Sequence, residues 1–191
     1  MRFISLFICS VAISLFANPS FAKPGFGLNV GAGIPFLMQG GVNYRMSETL
    51  GFSAAYNMLD VTSGTASVEL SMPEVLVHYH PFKGSFFLAA GIGQETLTVS
   101  ATDLQTSATA TADVTAMTGI IKTGWMWGAA SGGLWFGMDI AYISPFSPST
   151  TISAPGVPTT SQEYRDVVDA ANKFGETAYI NFTFARLGYI F

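Results

Sequence analysis

Apolar and polar residues alternate along most of this chain, in eight separate stretches. Gly25 to Phe36 sets Phe26, Leu28, Val30, Ala32 and Ile34 against Gly25, Gly27, Asn29, Gly31 and Gly33. Gln39 to Met46 sets Val42 and Tyr44 against Asn43 and Arg45; Leu50 to Met58 sets Leu50, Phe52, Ala54 and Tyr56 against Gly51, Ser53, Ala55 and Asn57. Glu74 to Phe82 sets Val75, Val77 and Tyr79 against Glu74, His78 and His80. Ser85 to Val99, Val114 to Trp127, Leu134 to Tyr142 and Thr177 to Phe191 complete the series. Period-two alternation is the mark of a strand with one face in an apolar medium. Each stretch is about the ~9–11 residues of a tilted strand that crosses a bilayer.

The connections alternate in length. Met46–Gly51, Lys83-Gly84 and Gly128–Gly133 are short, whereas Asp60–Pro73, Ser100–Asp113 and Ser144–Glu176 are long. The first outer connection, near Pro35–Met38, is the tight exception. Short turns on one side and long loops on the other are the habit of outer-membrane barrels, and eight strands bring both termini to the short-turn side. Almost every charged strand residue lies on the small, polar face. In a soluble barrel the apolar face turns inward; here the polar face is predicted to line a lumen and the apolar face to meet lipid. The last long loop carries Thr160-Ser161-Gln162-Glu163, a capping-box pattern. Tyr164, Val167, Val168, Ala171 and Phe174 follow at helical spacing, closed by Gly175, which predicts a short helix at about 161–174 that packs on the rim or covers the mouth. The Ser100–Asp113 stretch is rich in Thr, Ser and Ala; if it hid a further hairpin the count would be ten strands.

The N-terminus changes the setting. Met1 to Ala22 has a positive start at Arg2, an apolar run from Phe3 to Ala17, and small residues in Ser20-Phe21-Ala22. This is the pattern of a cleaved secretory signal peptide, too short in its apolar run for a spanning helix. Residues 1–22 are thus expected to be removed, leaving 23–191 as one barrel domain. Cys9 lies inside the signal, so the remainder offers neither disulfide nor thiolate. Hydrophobic residues make up 49% of the chain and charged residues 10%, against about 25% charged in a typical soluble domain. No later apolar run reaches the ~18 residues of a spanning helix. An apolar chain without such helices enters a membrane as a closed barrel, in which every backbone group is paired between strands. The net charge of −4 and the lack of a basic run argue against a nucleic-acid partner.

A signal peptide, eight alternating strands, aromatic residues near strand ends and a terminal Phe191 together resemble the small eight-stranded outer-membrane barrels of Gram-negative bacteria, of the OmpA transmembrane domain, OmpX and OmpW type. The likeness spans residues 23–191, and the stretch Tyr79-His80-Pro81-Phe82-Lys83-Gly84-Ser85-Phe86-Phe87-Leu88 looks like a hairpin common in such barrels. It implies an all-β, eight-stranded antiparallel up-and-down transmembrane barrel with a short helix in the last extracellular loop. It also implies location in the bacterial outer membrane, with lipid and lipopolysaccharide as surroundings. Phe191, with Tyr189 and Leu187 on one face, looks like the family's signal to the barrel-assembly machinery. Trp125, Trp127, Tyr189 and Phe191 are expected in an aromatic girdle.

Parity turns Asn29, Asn43, Arg45, Ser53, Asn57, Glu74, His78, His80, Glu95, Lys122, Asp139 and Arg186 inward. Eight strands enclose an interior just wide enough to be filled by side chains. Buried ions need partners, and this set holds three basic and three acidic residues. A turn centred on Ala130–Ser131 would set Lys122 opposite Asp139, Trp125 beside Phe136 and Trp127 beside Leu134. Arg186, on the strand beside Asp139, and Arg45 are expected to join that pair in a lumen network. Glu74, Glu95, His78 and His80 are expected as acids and histidines of the outer rim. The last strand leaves two options. Counting from Arg186 turns Phe184, Phe182 and Ile180 inward and Asn181 and Thr183 toward lipid, unless a bulge near Ala185 shifts the phase. Leu76, Phe87, Ile120 and Trp135 count inward as well, which favours an apolar patch inside.

Chemical sites are sparse. Glu74 and Glu95 could pair as acid and base or hold a cation, but two solvated acids at a wet rim are ordinary. His78 and His80 share a face, yet no further histidine exists to complete a metal site, so no metal and no cofactor is expected. No serine is placed beside them in a triad-like order, so no catalytic residue is assigned. The glycine pairs Gly25/Gly27 and Gly91/Gly93 are strand glycines, with no helix after them to hold a phosphate. The expected function is non-enzymatic: a structural or surface-exposed barrel with a filled lumen. The alternatives are a narrow channel for small or hydrophobic solutes, as in OmpW-like barrels, and, more remotely, a lipid A-modifying enzyme.

Overall fold

In a computed structural model the chain forms eight antiparallel strands in sequence order, closed into a barrel. The structure describes residues 24–102, 109–153 and 175–191, together with Asp169, Asn172 and Lys173. The strands are β1 (Gly25–Ile34), β2 (Met38–Arg45), β3 (Leu50–Ser63) and β4 (Ala66–Tyr79), then β5 (Phe86–Thr102), β6 (Thr109–Trp127), β7 (Gly133–Ser153) and β8 (Tyr179–Ile190). Every strand pairs with its sequence neighbour, and β8 returns to β1. The count of ten strands is excluded, because β5 and β6 stay paired out to Thr102↔Thr109 and form one long hairpin. Likewise β3 and β4 stay paired to Ser63↔Ala66 around a turn at Gly64, where φ is +61° and glycine is the residue of choice. Stretches expected as long loops are therefore strand extensions. Threonine, serine and valine suit them, since β-branched and hydroxyl side chains fit a pleated surface.

The faces are sorted as the alternation demands. Phe26, Val30, Val75, Ile92, Ile121 and Phe184 all stand exposed on the outer face. Past this apolar belt the outer face turns polar at Asp60, Thr62 and Glu69. All twelve residues predicted to point inward are buried. A two-sided pattern with apolar side chains outside and buried charges inside is the reverse of a soluble barrel and defines a membrane-spanning one. Among the described residues no helix is long and apolar enough to cross a membrane. Trp125, Trp127 and Phe136 stack in series with Phe86 against Trp125, and Tyr189 meets Phe191 edge-on. These are aromatic clusters at the short-turn end.

The eighth strand resolves by a bulge. Pairing with β1 shifts between Ala32 and Gly33, and pairing with β7 between Gly137 and Asp139. Residues 184–185 absorb the extra position, so Asn181 and Thr183 are buried while Ile180, Phe182 and Phe184 face out. The inner patch of Leu76, Phe87, Ile120 and Trp135 is nevertheless present, each no more than 2% exposed. One register differs from the expectation. Lys122 faces Ala141, and Asp139 faces Gly124; Trp127 is beside Phe136 and Trp125 beside Met138. The connection is longer than a tight hairpin, because a 3-10 turn at Ala129–Ser131 is inserted between glycines of positive φ at 128 and 132. This moves the partner of each β6 residue by two positions. Asp169, Asn172, Lys173, Gly175 and Glu176 are helical, so Gly175, where a stop was expected, is itself helical. The rest of the helix predicted at 161–174 lies outside the described residues.

Candidate functional site

The lumen is built in layers, and its middle layer is ionic. Lys122 Nζ lies 2.7 Å from Glu74 Oε1 and 3.9 Å from Asp139 Oδ1. Arg186 Nη2 donates to Asp139 Oδ2 at 3.0 Å and to Gln39 Oε1 at 2.9 Å. Gln39 Nε2 closes the circuit by donating to Glu74 Oε1 at 3.5 Å. The result is a ring of five side chains from β2, β4, β6, β7 and β8. Its charges cancel, two against two, as burial requires. Space for the guanidinium comes from both flanks: Arg186 pairs with Gly31 of β1 and Gly137 of β7. The charged side chains of the ring are 0–4% exposed. Solvent does not reach this layer.

Apolar layers lie on either side. Counting down each strand toward the short turns places Leu76, Phe87, Trp135, Met126 and Ile190 below the ring. Counting toward the long loops places Phe36, Leu70, Met72, Ile120 and Ile143 above it. Glu95 is above the ring too, buried, and accepts the Tyr179 hydroxyl at 2.8 Å. At the outer mouth Thr150 Oγ1 donates to Asn172 Oδ1 at 2.7 Å. Gly175 is buried against Val114 and Pro148, so the chain entering β8 crosses the inner face of the β6–β7 extension.

Below the ring the polar groups are neutral or turn-bound. Asn29 Nδ2 donates to Asn43 Oδ1 at 3.2 Å, leaving Asn29 Oδ1 and Asn43 Nδ2 without partners. Ser53 Oγ and His78 Nε2 are 2.7 Å apart. His80 Nδ1 bonds the Gly84 carbonyl at 3.1 Å, beyond the end of β4. Burial, and after it the Arg45 charge, lower the His80 pKa below the ordinary histidine value. A cavity of about 20 Å³ remains here, lined by Asn43, Arg45, His78 and His80 among others. That is room for about one water.

Several expectations are corrected by this geometry. Arg45 is not in the ionic network; its Nε and Nη2 cap the Ser47 and Glu48 carbonyls at 3.3 and 3.1 Å, tying down a short turn. Glu74 is not a rim acid but the partner of Lys122 in mid-lumen. His78 and His80 lie toward the short turns, opposite to the outer rim, because β4 runs downward from Glu74 to Tyr79. Lys122 and Asp139 do meet, though not as direct cross-strand partners. A serine does sit beside a histidine, Ser53 by His78, in a diagonal position that the parity count alone did not rank. Gln39 and Thr118 are lumen residues that the sequence reading missed, and Asn181 and Thr183 are inward as the bulge option required. Gln39 had the parity signal; being uncharged, it drew no attention. Among the described residues no group of three or more His, Cys, Asp or Glu side chains is placed to hold a metal ion.

The fold and its inverted faces define a small, eight-stranded membrane-spanning barrel. Among solved structures it is similar to a major outer membrane protein from Thermus thermophilus, at 13% identity and a TM-score of 0.63, over 88% of this chain and 100% of that one. CarO2 and CarO of Acinetobacter baumannii are also similar, at 10% and 13% identity and TM-scores of 0.49 and 0.47. Those two cover 90% and 88% of this chain and 100% and 98% of their own. With TM-scores under 0.5 the two Acinetobacter likenesses carry no argument, and the Thermus likeness, at 13% identity, bears on the fold alone. No family profile matches the chain, and no curated protein matches it.

Proposed function

We propose that this chain is a bacterial outer-membrane protein, exported with a signal peptide cleaved after Ala22, whose barrel is a closed, non-enzymatic structural and surface element. The observation that carries this reading is the solvent-excluded ring of Glu74, Lys122, Asp139, Arg186 and Gln39 between two apolar layers. A barrel plugged in this way holds its strands together and leaves outside work to the extended hairpins. Lipid and lipopolysaccharide are its surroundings in this reading, and the strand ending in Tyr189 and Phe191 is its assembly signal. The Ser53–His78 pair does not favour catalysis: it is buried, and the cavity beside it holds about 20 Å³.

Single-channel recording in a planar bilayer tests the reading. Silence from folded protein, identified by its slower migration on an unboiled gel, is the expected result. A second reading, a path for small hydrophobic solutes, is favoured by the apolar lining of Phe36, Leu76, Phe87 and Ile120. Discrete openings that grow in Lys122→Ala would establish a gate at the ring and replace the first reading with the second.

A further inference from the structure

The outer wall carries a groove of about 500 Å³ over β2 to β5 and the edge of β6. This lies within the ~300–1,000 Å³ range of small-molecule sites. Its walls are large side chains, Val42, Tyr56, Val75, Ile92 and Met117. Its floor is cut by small ones: Ala54 faces out, and at Gly40 a side chain would meet nothing within 4 Å.

A proline breaks the ladder inside this groove. β4 pairs with β5 at Ser71↔Thr96 and again at Glu74↔Gly93, in one register, with Met72 and Pro73 skipped. Toward β3 the pairing is continuous through Tyr56↔Pro73 and Asn57↔Met72. The interruption is therefore on the β5 side only. Proline has no N–H, so the Gln94 carbonyl opposite it has lost its ladder donor. A proline inside a strand with neighbours on both sides is unusual. A carbonyl without a donor in a membrane-spanning strand is costlier still. Gln94 itself is exposed on the outer face, and one row further out the surface turns polar at Ser71 and Thr96.

We propose that this groove binds a single-chain membrane amphiphile that bears a hydroxyl. The hydroxyl donates to the Gln94 carbonyl at the boundary of the apolar belt, and the chain lies along Ile92 and Val75 and over Ala54 and Gly40. The unpaired acceptor selects a donor-bearing lipid over a plain hydrocarbon. The site is on the outer wall and does not depend on whether the lumen conducts.

The probes are 1-dodecanol and dodecane, added to the protein in lipid nanodiscs and followed by amide NMR. Saturable shifts at Gly40, Ala54 and Gln94 are expected, with dodecanol about tenfold tighter than dodecane, the ratio one hydrogen bond supplies. Pro73→Val, which restores an N–H, should bring dodecanol down to the level of dodecane while both still bind. Ala54→Phe, which fills the groove, should abolish both. Pro73→Ala provides the same N–H if the valine variant does not fold. Equal affinities in the parent protein, non-saturating shifts from general partitioning, or a preference unchanged in the N–H variant would overturn the proposal.

Discussion

The two polar layers of the lumen differ in charge and in how far their members are joined to one another. The mid-lumen ring joins four charges and one amide across five strands, with each ion facing an opposite one, although Asp139 Oδ1 and Arg186 Nε have no hydrogen-bond partner. The layer nearer the short turns holds Asn29, Asn43, Ser53, His78 and His80 in separate neutral pairs and leaves a small cavity and unpartnered amide atoms. A buried charge tolerates no vacancy, whereas a neutral group can be served by a water. The ring should thus respond as a unit to a lost member, and the lower layer should respond pair by pair.

The sharpest break is Lys122→Met, which leaves Glu74 buried without a cation and Asp139 with Arg186 alone. It should cost about 3–5 kcal/mol, read as the midpoint shift of urea unfolding in detergent micelles. Adding Glu74→Gln should return part of that loss, since the double variant removes a charge as well as its partner; a fully additive second loss would show that the ring is not coupled. Next comes Gly124→Ala. Its new Cβ would lie 2.7 Å from Asp139 Cβ and run into the Met138 carbonyl, so the strands must part where the ring is anchored. A loss of about 1–3 kcal/mol is expected in the same titration. Ser53→Ala addresses the lower layer, where His78 would lose one neutral partner. About 1 kcal/mol is expected, with no change when combined with Lys122→Met beyond simple addition. Trp127→Leu sharpens the contrast from outside. It removes one member of the Trp125–Trp127–Phe136 stack, and about 0.5–1.5 kcal/mol of stacking should be missing.

What the sequence revealed divides along physical lines. Alternation has a period of two, so it reports faces directly; the inward set from Asn29 to Arg186 followed from parity and is buried as counted. Distances along a strand are a different matter. They depend on the lengths of turns, and the 3-10 turn after Trp127 slid β7 past β6 by two residues. Arg45 illustrates a third limit. Parity turned it inward, but it is the last residue of β2, where unpaired turn carbonyls compete for a guanidinium more effectively than a distant carboxylate. The bulge near Ala185 left a trace, a reversal of phase between Thr183 and Arg186, which is the form a bulge takes in a one-dimensional pattern. Nothing in that pattern could choose between a bulge and an apolar mouth, because both leave the same letters. The ladder gap at Pro73 was not legible, because the sequence set Pro73 at the end of a loop and its meaning needs a partner strand.

The seam of the barrel joins its two chain ends. The Phe191 amide donates to the Phe26 carbonyl at 2.8 Å, and Gly27 pairs with Ile190. The first and last strands are thus neighbours by hydrogen bonding and strangers by sequence, so closure demands the longest loop the chain can form. The circle itself has no preferred starting point. A version in which residue 191 is linked to residue 24 and the chain is opened at Gly64-Thr65 would trace the same eight strands. Its new ends would emerge at the opposite face from the old ones, turning the direction in which fused peptides leave the barrel into a matter of where the circle is cut.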